Sequence, residues 1–184
     1  MITMIADVSS RFGVKPKEAE RFVKFLVVGG IGFIVDFGIF NLLLNPMNLL
    51  VSPGHAIYEL LSGMGFSDYF ITHLGPTIAA AISFCAAVCS NFLWNRYWTY
   101  PDSRSRSRRR QFSMFFTVSV IGVLIRIPIV FFTTPFYRSL LSDFGPLQAY
   151  STRLADNLSL ATAVLVVLFW NFFANRHWTY NDVD

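Results

Sequence analysis

The chain has 184 residues, of which 54% are hydrophobic and 14% are charged, and its formal net charge is +4 at pH 7. A soluble core of this size cannot enclose so much apolar surface, so the composition predicts a membrane protein and excludes an ordinary soluble domain. The basic residues cluster beside apolar runs, as they do at a cytoplasmic membrane surface. No basic groove with interleaved aromatic residues is present, so the sequence predicts no nucleic-acid partner.

Four apolar stretches are long enough to cross a hydrocarbon core of about 30 Å, which takes about 20 helical residues. They cover roughly residues 22–44, 76–97, 112–133 and 155–176. A short helix at the membrane surface is expected at 56–61, between the first two spans. The sequence therefore predicts an all-α integral membrane protein with four transmembrane helices.

The distribution of basic residues predicts the orientation, because positive charge accumulates on the cytoplasmic side of short loops. The N-terminal arm (residues 1–21) and the link from Arg104 to Arg110 are rich in Lys and Arg, whereas the 45–75 connection has neither. The arm and the link are therefore expected inside. Four crossings then place both termini in the cytoplasm.

A ten-residue phrase occurs twice, each time at the end of a second span. Asn91-Phe-Leu-Trp-Asn-Arg-Tyr-Trp-Thr-Tyr100 recurs 80 residues later as Asn171-Phe-Phe-Ala-Asn-Arg-His-Trp-Thr-Tyr180, with seven of the ten positions identical. This match predicts two related helical hairpins, at about 22–100 and 112–180, within one membrane domain that covers residues 22–184. Because each hairpin leaves the cytoplasm and returns to it, the halves are expected to be parallel repeats.

The first helices of the two hairpins align at an offset of 90, which brings Asp36 and Arg126 to the same depth. A charge near the bilayer centre costs roughly 2.5–3.5 kcal/mol, so such residues seldom face lipid. One interpretation is a structural ion pair between the two. Another is that Arg126 binds an anionic headgroup, because a guanidinium suits phosphate oxygens, while Asp36 orients Arg126 or contacts sugar hydroxyls. A proton-coupling role for Asp36 is a third.

The repeated phrase contains three groups of candidate residues. Its amides are expected to face the bundle, where they either bond to neighbouring helices or line a polar vestibule: Asn91, Asn95, Asn171 and Asn175. Its arginines, Arg96 and Arg176, are expected to bind phosphate at that vestibule. Its aromatic residues are interpreted as anchors at the membrane interface: Trp98, Tyr100, Trp178 and Tyr180.

The sequence lacks a nucleophile–base pair, a P-loop, an HExxH element and a dinucleotide fingerprint. Its Cys and His residues do not have metal-ligand spacing. We therefore expect a transporter-like protein and not an enzyme, with no cofactor and no metal.

The stretches Arg21-Phe-Val-Lys-Phe-Leu-Val-Val-Gly-Gly30 and Val35-Asp36-Phe37, together with the two Asn-x-x-x-Asn-Arg-x-Trp-x-Tyr phrases, resemble the GtrA-like family of small four-helix membrane proteins. The resemblance covers nearly all of residues 20–180. The chain departs from the family pattern at the two final tyrosines, where phenylalanine is more usual, and in its longer 45–75 connection.

The resemblance implies that the protein flips a polyprenyl-phosphate-linked monosaccharide to the outer leaflet of a prokaryotic plasma membrane, for the synthesis of a surface polysaccharide or glycolipid. The partners implied are this lipid-linked sugar and a membrane-associated glycosyltransferase. Anionic membrane lipid is a further expected partner of the basic link. Four short helices enclose little volume, so a homodimer or higher homo-oligomer is expected. Two alternatives are a membrane anchor for the glycosyltransferase and a small proton-coupled exporter.

Overall fold

A computed structural model describes residues 15–103, 105–142 and 151–182. Its α-helices are α1 (Pro16–Leu50), α2 (Ala56–Gly63), α3 (Asp68–Trp94), α4 (Arg108–Ser142) and α5 (Ser151–Ala174). One π-helical turn continues α3 over Asn95–Thr99, and another continues α5 over Asn175–Thr179. No strand occurs in the described ranges, and the prediction of an all-α protein is confirmed.

Two parts of the predicted cytoplasmic surface, residues 1–14 of the N-terminal arm and Arg104, lie outside the described residues. The remainder of the arm is mostly helical, because α1 begins at Pro16. Proline suits this first helical position, since its fixed φ is already helical and its missing N–H would have no partner in the helix. The orientation of the termini stays a prediction.

Four helical segments are long and apolar enough to cross a membrane: Pro16–Leu50, Asp68–Thr99, Arg108–Ser142 and Leu154–Thr179. Each contains one of the four predicted spans, so the prediction of four transmembrane helices is confirmed. Only 11% to 28% of the residues in their most apolar windows are buried within the protein. The remaining apolar side chains are therefore available to face lipid, as spanning helices require.

The chain divides into two compact units, Met1–Pro101 and Asp102–Asp184. The first contains hairpin 1, in which α1 packs against α3, and the second contains hairpin 2, in which α4 packs against α5. The predicted short helix at 56–61 is observed as α2, in the connection between α1 and α3. The Ser67 hydroxyl caps the start of α3 by accepting a hydrogen bond from the backbone N–H of Phe70 at 3.3 Å.

Glycines allow the helices of hairpin 1 to approach closely at two levels. A Cβ placed on Gly75 would lie 2.7 Å from Oδ1 of Asn48 and 3.0 Å from the carbonyl oxygen of Met47. A Cβ placed on Gly32 would lie 2.3 Å from Oδ1 of Asn91. Small residues have this effect in membranes generally, where helix association depends on packing and not on escape from water.

Hairpin 2 is joined by hydroxyl groups in the half that is remote from the repeated phrase. The Ser159 hydroxyl lies 2.6 Å from that of Thr133 and 2.9 Å from that of Thr134, and the Tyr137 hydroxyl lies 2.8 Å from that of Thr162. Such bonds between transmembrane helices are worth about 0.6 kcal/mol each on average. The aligned positions of hairpin 1 are apolar: Leu43, Leu44, Met47, Ala79 and Ile82.

We predict that Gly75→Ala destabilises hairpin 1, because the added methyl group meets backbone atoms of α1 that cannot rotate away. Overpacking of this kind typically costs about 1–3 kcal/mol. Gly63→Ala is the control, since Gly63 is also helical and nothing lies within 4 Å of a Cβ at this position. Thermal unfolding in detergent should show a lower melting temperature for Gly75→Ala alone, and equal melting of the two variants would contradict the packing described here.

Candidate functional site

Asp36 lies in an open cleft of hairpin 1, within the membrane-spanning part of α1. The cleft has a volume of about 190 Å³. Its walls are mainly aromatic and come from both helices: Phe33, Phe37 and Phe40 of α1, and Ala80, Ser83 and Phe84 of α3. Within the described part of hairpin 1, no hydrogen bond or ion pair includes the half-buried Asp36 carboxylate. The group is therefore available to a ligand that enters the cleft.

Arg126 lies in the membrane-spanning part of α4 and is exposed. Among the residues described for hairpin 2, none forms a hydrogen bond or an ion pair with its guanidinium. Its immediate neighbours along the helix, Ile125 and Ile127, are apolar. Within the described part of hairpin 2, the guanidinium is thus a cation without a partner on an apolar helix surface.

The four amides of the repeated phrase lie within the packing of their own hairpins. In hairpin 1, Nδ2 of the buried Asn95 donates to the Asn91 carbonyl oxygen at 2.9 Å, and Asn91 packs against Gly32. The side-chain oxygens of both asparagines are buried, and no described residue donates a hydrogen bond to them. The structure therefore brings these amides into the helix contact, and their contact with a substrate stays a prediction.

Hairpin 2 has the same arrangement at Gly122, where a Cβ would lie 3.2 Å from Nδ2 of Asn171. Nδ2 of Asn175 donates to the Asn171 carbonyl oxygen at 2.8 Å. The two hairpins differ in one bond, because Oδ1 of Asn175 accepts a hydrogen bond from the Thr179 hydroxyl at 2.8 Å. The buried Thr99 hydroxyl of hairpin 1 has no partner among the described residues.

The interpretation of Tyr100 and Tyr180 as interfacial anchors is wrong. Both side chains are 0% exposed, so neither can contact lipid headgroups, whereas Trp98 and Trp178 are 38% and 46% exposed. The cause is the π-helical turn before each tyrosine, which changes the direction in which the side chains point. The tyrosines pack inside their hairpins, and the anchor role remains a proposal for the tryptophans.

The two arginines of the repeat differ in accessibility. Arg96 is only 5% exposed, whereas Arg176 is half-buried and its Nη1 donates to the Tyr180 carbonyl oxygen at 3.3 Å. A phosphate contact requires an accessible guanidinium. Arg176 can therefore meet a headgroup with less rearrangement than Arg96.

Sequence reasoning missed a cluster at the end of hairpin 1 where α1 begins. The Arg21 guanidinium lies 5.6 Å from the centroid of the buried Tyr100 ring and is paired with Glu18 at 2.7 Å. One turn further along α1, Lys24 Nζ lies 5.9 Å from the Trp98 ring centroid. These cation–π contacts join residues far apart in the sequence, so neither motif alone could have predicted them.

Hairpin 2 has a different network at the corresponding end. The Ser103 hydroxyl donates to one carboxylate oxygen of Asp182, and the Ser105 backbone N–H donates to the other at 2.8 Å. Nε2 of the buried Gln111 donates to the Ser103 hydroxyl at 2.6 Å. Arg106 donates to the Trp178 carbonyl oxygen. The network ties the link before α4 to the segment that follows the second π turn.

Residues 24–180 match the family model described as GtrA/DPMS, transmembrane domain, and the match includes all four spanning helices. The chain belongs to this family. No curated protein and no solved structure matches it. The GtrA/DPMS transmembrane domain is a membrane domain associated with processes that involve glycosyl lipids. The protein is therefore a multi-pass membrane protein of this class.

Within the described residues of this GtrA/DPMS domain, no three His, Cys, Asp or Glu side chains come together as a metal site. Cys85 and Cys89 are free thiols on the exposed surface of α3.

The Asp182 network predicts a pH-dependent contribution to stability. Partial burial acts to raise the pKa of Asp182, but the hydrogen bonds from Ser103 and Ser105 outweigh it and lower the pKa to about 2, from an ordinary value of 3.8. A lowered pKa means that the charged form stabilises the fold. The stabilisation is complete above pH 3.8 and is lost as the pH falls towards 2.

We expect Asp182→Asn to lower the free energy of unfolding by about 1 kcal/mol at pH 7, a modest value because solvent screens a partly exposed group. The difference from the wild type should shrink as the pH falls from about 4 to 2. Thermal unfolding in detergent across this range measures it. Asp156→Asn is the control, since Asp156 forms a solvent-exposed ion pair with Arg138. A constant difference at every pH would contradict the role of the Asp182 charge.

Proposed function

We propose that the protein moves a polyprenyl-phosphate-linked monosaccharide from the inner to the outer leaflet of a prokaryotic plasma membrane, for the synthesis of a surface polysaccharide or glycolipid. The observation that carries the proposal is the cleft at Asp36, which opens a polar group to the outside of a membrane-spanning helix. A lipid-linked sugar needs polar contacts for its headgroup while its tail stays in hydrocarbon. The family's association with glycosyl lipids supports this class of substrate.

In this proposal, Arg126 binds the phosphate of the substrate. Its guanidinium offers five donors in a planar fork that matches phosphate oxygens in pairs. The exposure of the side chain and its lack of a described partner in hairpin 2 support the assignment. An unpaired charge near the centre of the bilayer costs about 2.5–3.5 kcal/mol, and a bound phosphate would offset much of this.

In this proposal, the substrate first contacts the protein at the cytoplasmic ends of the hairpins. With both termini in the cytoplasm, Arg176 meets the phosphate at the inner leaflet. The half-buried Asn91 and Asn171 lie at the entrance to their own hairpins, where the buried Asn95 and Asn175 hold the helix ends in place. Arg108, Arg109 and Arg110 are exposed at the start of α4 and attract anionic lipid, at about 1 kcal/mol per charge. A membrane-associated glycosyltransferase on this side would supply the lipid-linked sugar.

Oligomer formation is proposed through α1. Gly29, Gly30 and Gly38 are exposed, and a Cβ at any of them would meet nothing within 4 Å. Such glycines allow a helix of another protomer to approach closely. A homodimer or higher homo-oligomer would enclose more polar surface than one chain can.

A membrane anchor that positions the glycosyltransferase is the second candidate, and the exposed arginines at the start of α4 favour it as a docking surface for an acidic partner. An anchor needs no accessible charge within its spanning helices, so the test is whether lipid moves. A proton-coupled exporter of cations is disfavoured, because the exposed Arg126 would repel its substrate.

Translocation can be measured with the purified protein in liposomes and a short-chain polyprenyl-phosphoryl hexose, by following how much becomes accessible at the far leaflet. The flippase proposal predicts acceleration over protein-free liposomes. Arg126→Ala should lower the rate at least ~tenfold, which corresponds to about 1.4 kcal/mol of lost binding in the transport step.

Arg138→Ala is the matched control, because Arg138 lies on the same helix in an exposed ion pair with Asp156. Its rate should stay within about twofold of the wild type. Absence of acceleration by the wild-type protein would overturn the flippase proposal and favour the anchor. Equal rates for the two arginine variants would remove Arg126 from the transport path.

A further inference from the structure

The cleft at Asp36 combines one acidic side chain with four phenylalanines. Phe33, Phe37 and Phe40 come from α1 and Phe84 from α3, and the rings of Phe33 and Phe37 are stacked with centroids 6.0 Å apart. A carboxylate among aromatic side chains is rare within a transmembrane hairpin, because an isolated charge in hydrocarbon is unfavourable. A ligand or solvent that enters the cleft and interacts with the acid would therefore be favourable.

The size of the cleft suits a small group of a larger ligand. Its volume of about 190 Å³ is below the ~300 Å³ at which pockets for drug-sized ligands begin. One sugar-sized ring fits such a space.

The chemistry of the walls limits the ligand further. An ionised carboxylate only accepts hydrogen bonds, so Asp36 suits groups that donate, such as hydroxyl or ammonium groups. The faces of phenylalanine rings carry partial negative charge and attract C–H groups and cations. Both features disfavour a ligand that carries its own carboxylate.

Comparison of the hairpins shows that the cleft is not a general feature of the repeat. At the aligned positions of hairpin 2 all four phenylalanines are replaced by smaller aliphatic residues, Asp36 by arginine and Ser83 by alanine: Val123, Arg126, Ile127, Val130, Ala163 and Val164. Helix packing alone therefore does not require aromatic residues here. The combination belongs to hairpin 1 and points to a task that hairpin 2 does not share.

We propose that this cleft is the subsite for the sugar ring and that Asp36 makes it selective, accepting neutral and amino sugars and rejecting uronic acids. The inference rests on the proposed function for the identity of the substrate class. The ring stacks against phenylalanine faces while its hydroxyl or ammonium groups donate to Asp36. A uronic acid would bring its carboxylate next to that of Asp36 in a partly dehydrated cleft, where like charges repel strongly.

The test uses three short-chain polyprenyl-phosphoryl sugars: a hexose, the corresponding amino sugar and the corresponding uronic acid. Binding to the protein in nanodiscs and translocation in liposomes are measured separately for each. The wild type should bind the hexose and the amino sugar at least ~tenfold more tightly than the uronic acid. Asp36→Asn should reduce this ratio to within about threefold by improving the binding of the uronic acid.

Two control variants distinguish the effect of the cleft on sugar binding from general effects of charge and of aromatic side chains. Asp156→Asn removes one negative charge outside the cleft and should keep the wild-type ratio. Phe37→Leu should weaken the binding of all three sugars, whereas Phe70→Leu, at an exposed position of α3 that does not line the cleft, should not. These aromatic variants test the subsite even if Asp36→Asn fails to insert.

The outcomes distinguish the inference from the function on which it rests. Selective binding that depends on Asp36, without translocation, would support the subsite and overturn the flippase proposal. Translocation of all three sugars at equal rates and with equal affinity, unaffected by Asp36→Asn, would support the flippase and overturn the subsite. Preference of the wild type for the uronic acid would also overturn the subsite.

Discussion

Each hairpin depends on the close approach of its two helices where a glycine of the first meets an asparagine of the second. Gly32 meets Asn91 in hairpin 1, and Gly122 meets Asn171 in hairpin 2. Helices in a membrane gain nothing by leaving water, so packing and hydrogen bonds must hold them together. The contact fixes the helix register, and the register fixes the depth of Asp36, one turn beyond Gly32 on the same face of α1.

The hairpins share this packing and differ in their polar groups. At one end, Arg21 stacks on Tyr100 in hairpin 1, while the aligned Gln111 joins the Asp182 network in hairpin 2. Further along, hairpin 1 has an acidic aromatic cleft and hairpin 2 an exposed cation. Because the packing is common to both, the function specific to each half must come from these polar differences.

The sequence was sufficient to predict the four spans and the short helix α2, because length and apolar composition determine them. It could not predict the burial of Tyr100 and Tyr180, since the preference of aromatic residues for the membrane interface does not show where each ring points, and the π turn sets that direction. The aromatic cleft was also missed. Asp36 was recognisable by its charge, but Phe84 approaches it only through the tertiary contact of α3 with α1.

The different lengths of the two charged side chains suit different parts of a transport path. Arginine has a long flexible stem, so the guanidinium of Arg126 can shift along the membrane normal with a bound phosphate. Aspartate has a short side chain, so Asp36 acts only at the depth where α1 places it. A long side chain can stay in contact with a headgroup as it moves, whereas a short one can contact it at one depth only. In the mechanism proposed here, Arg126 therefore accompanies the phosphate, and selection of the sugar takes place at Asp36.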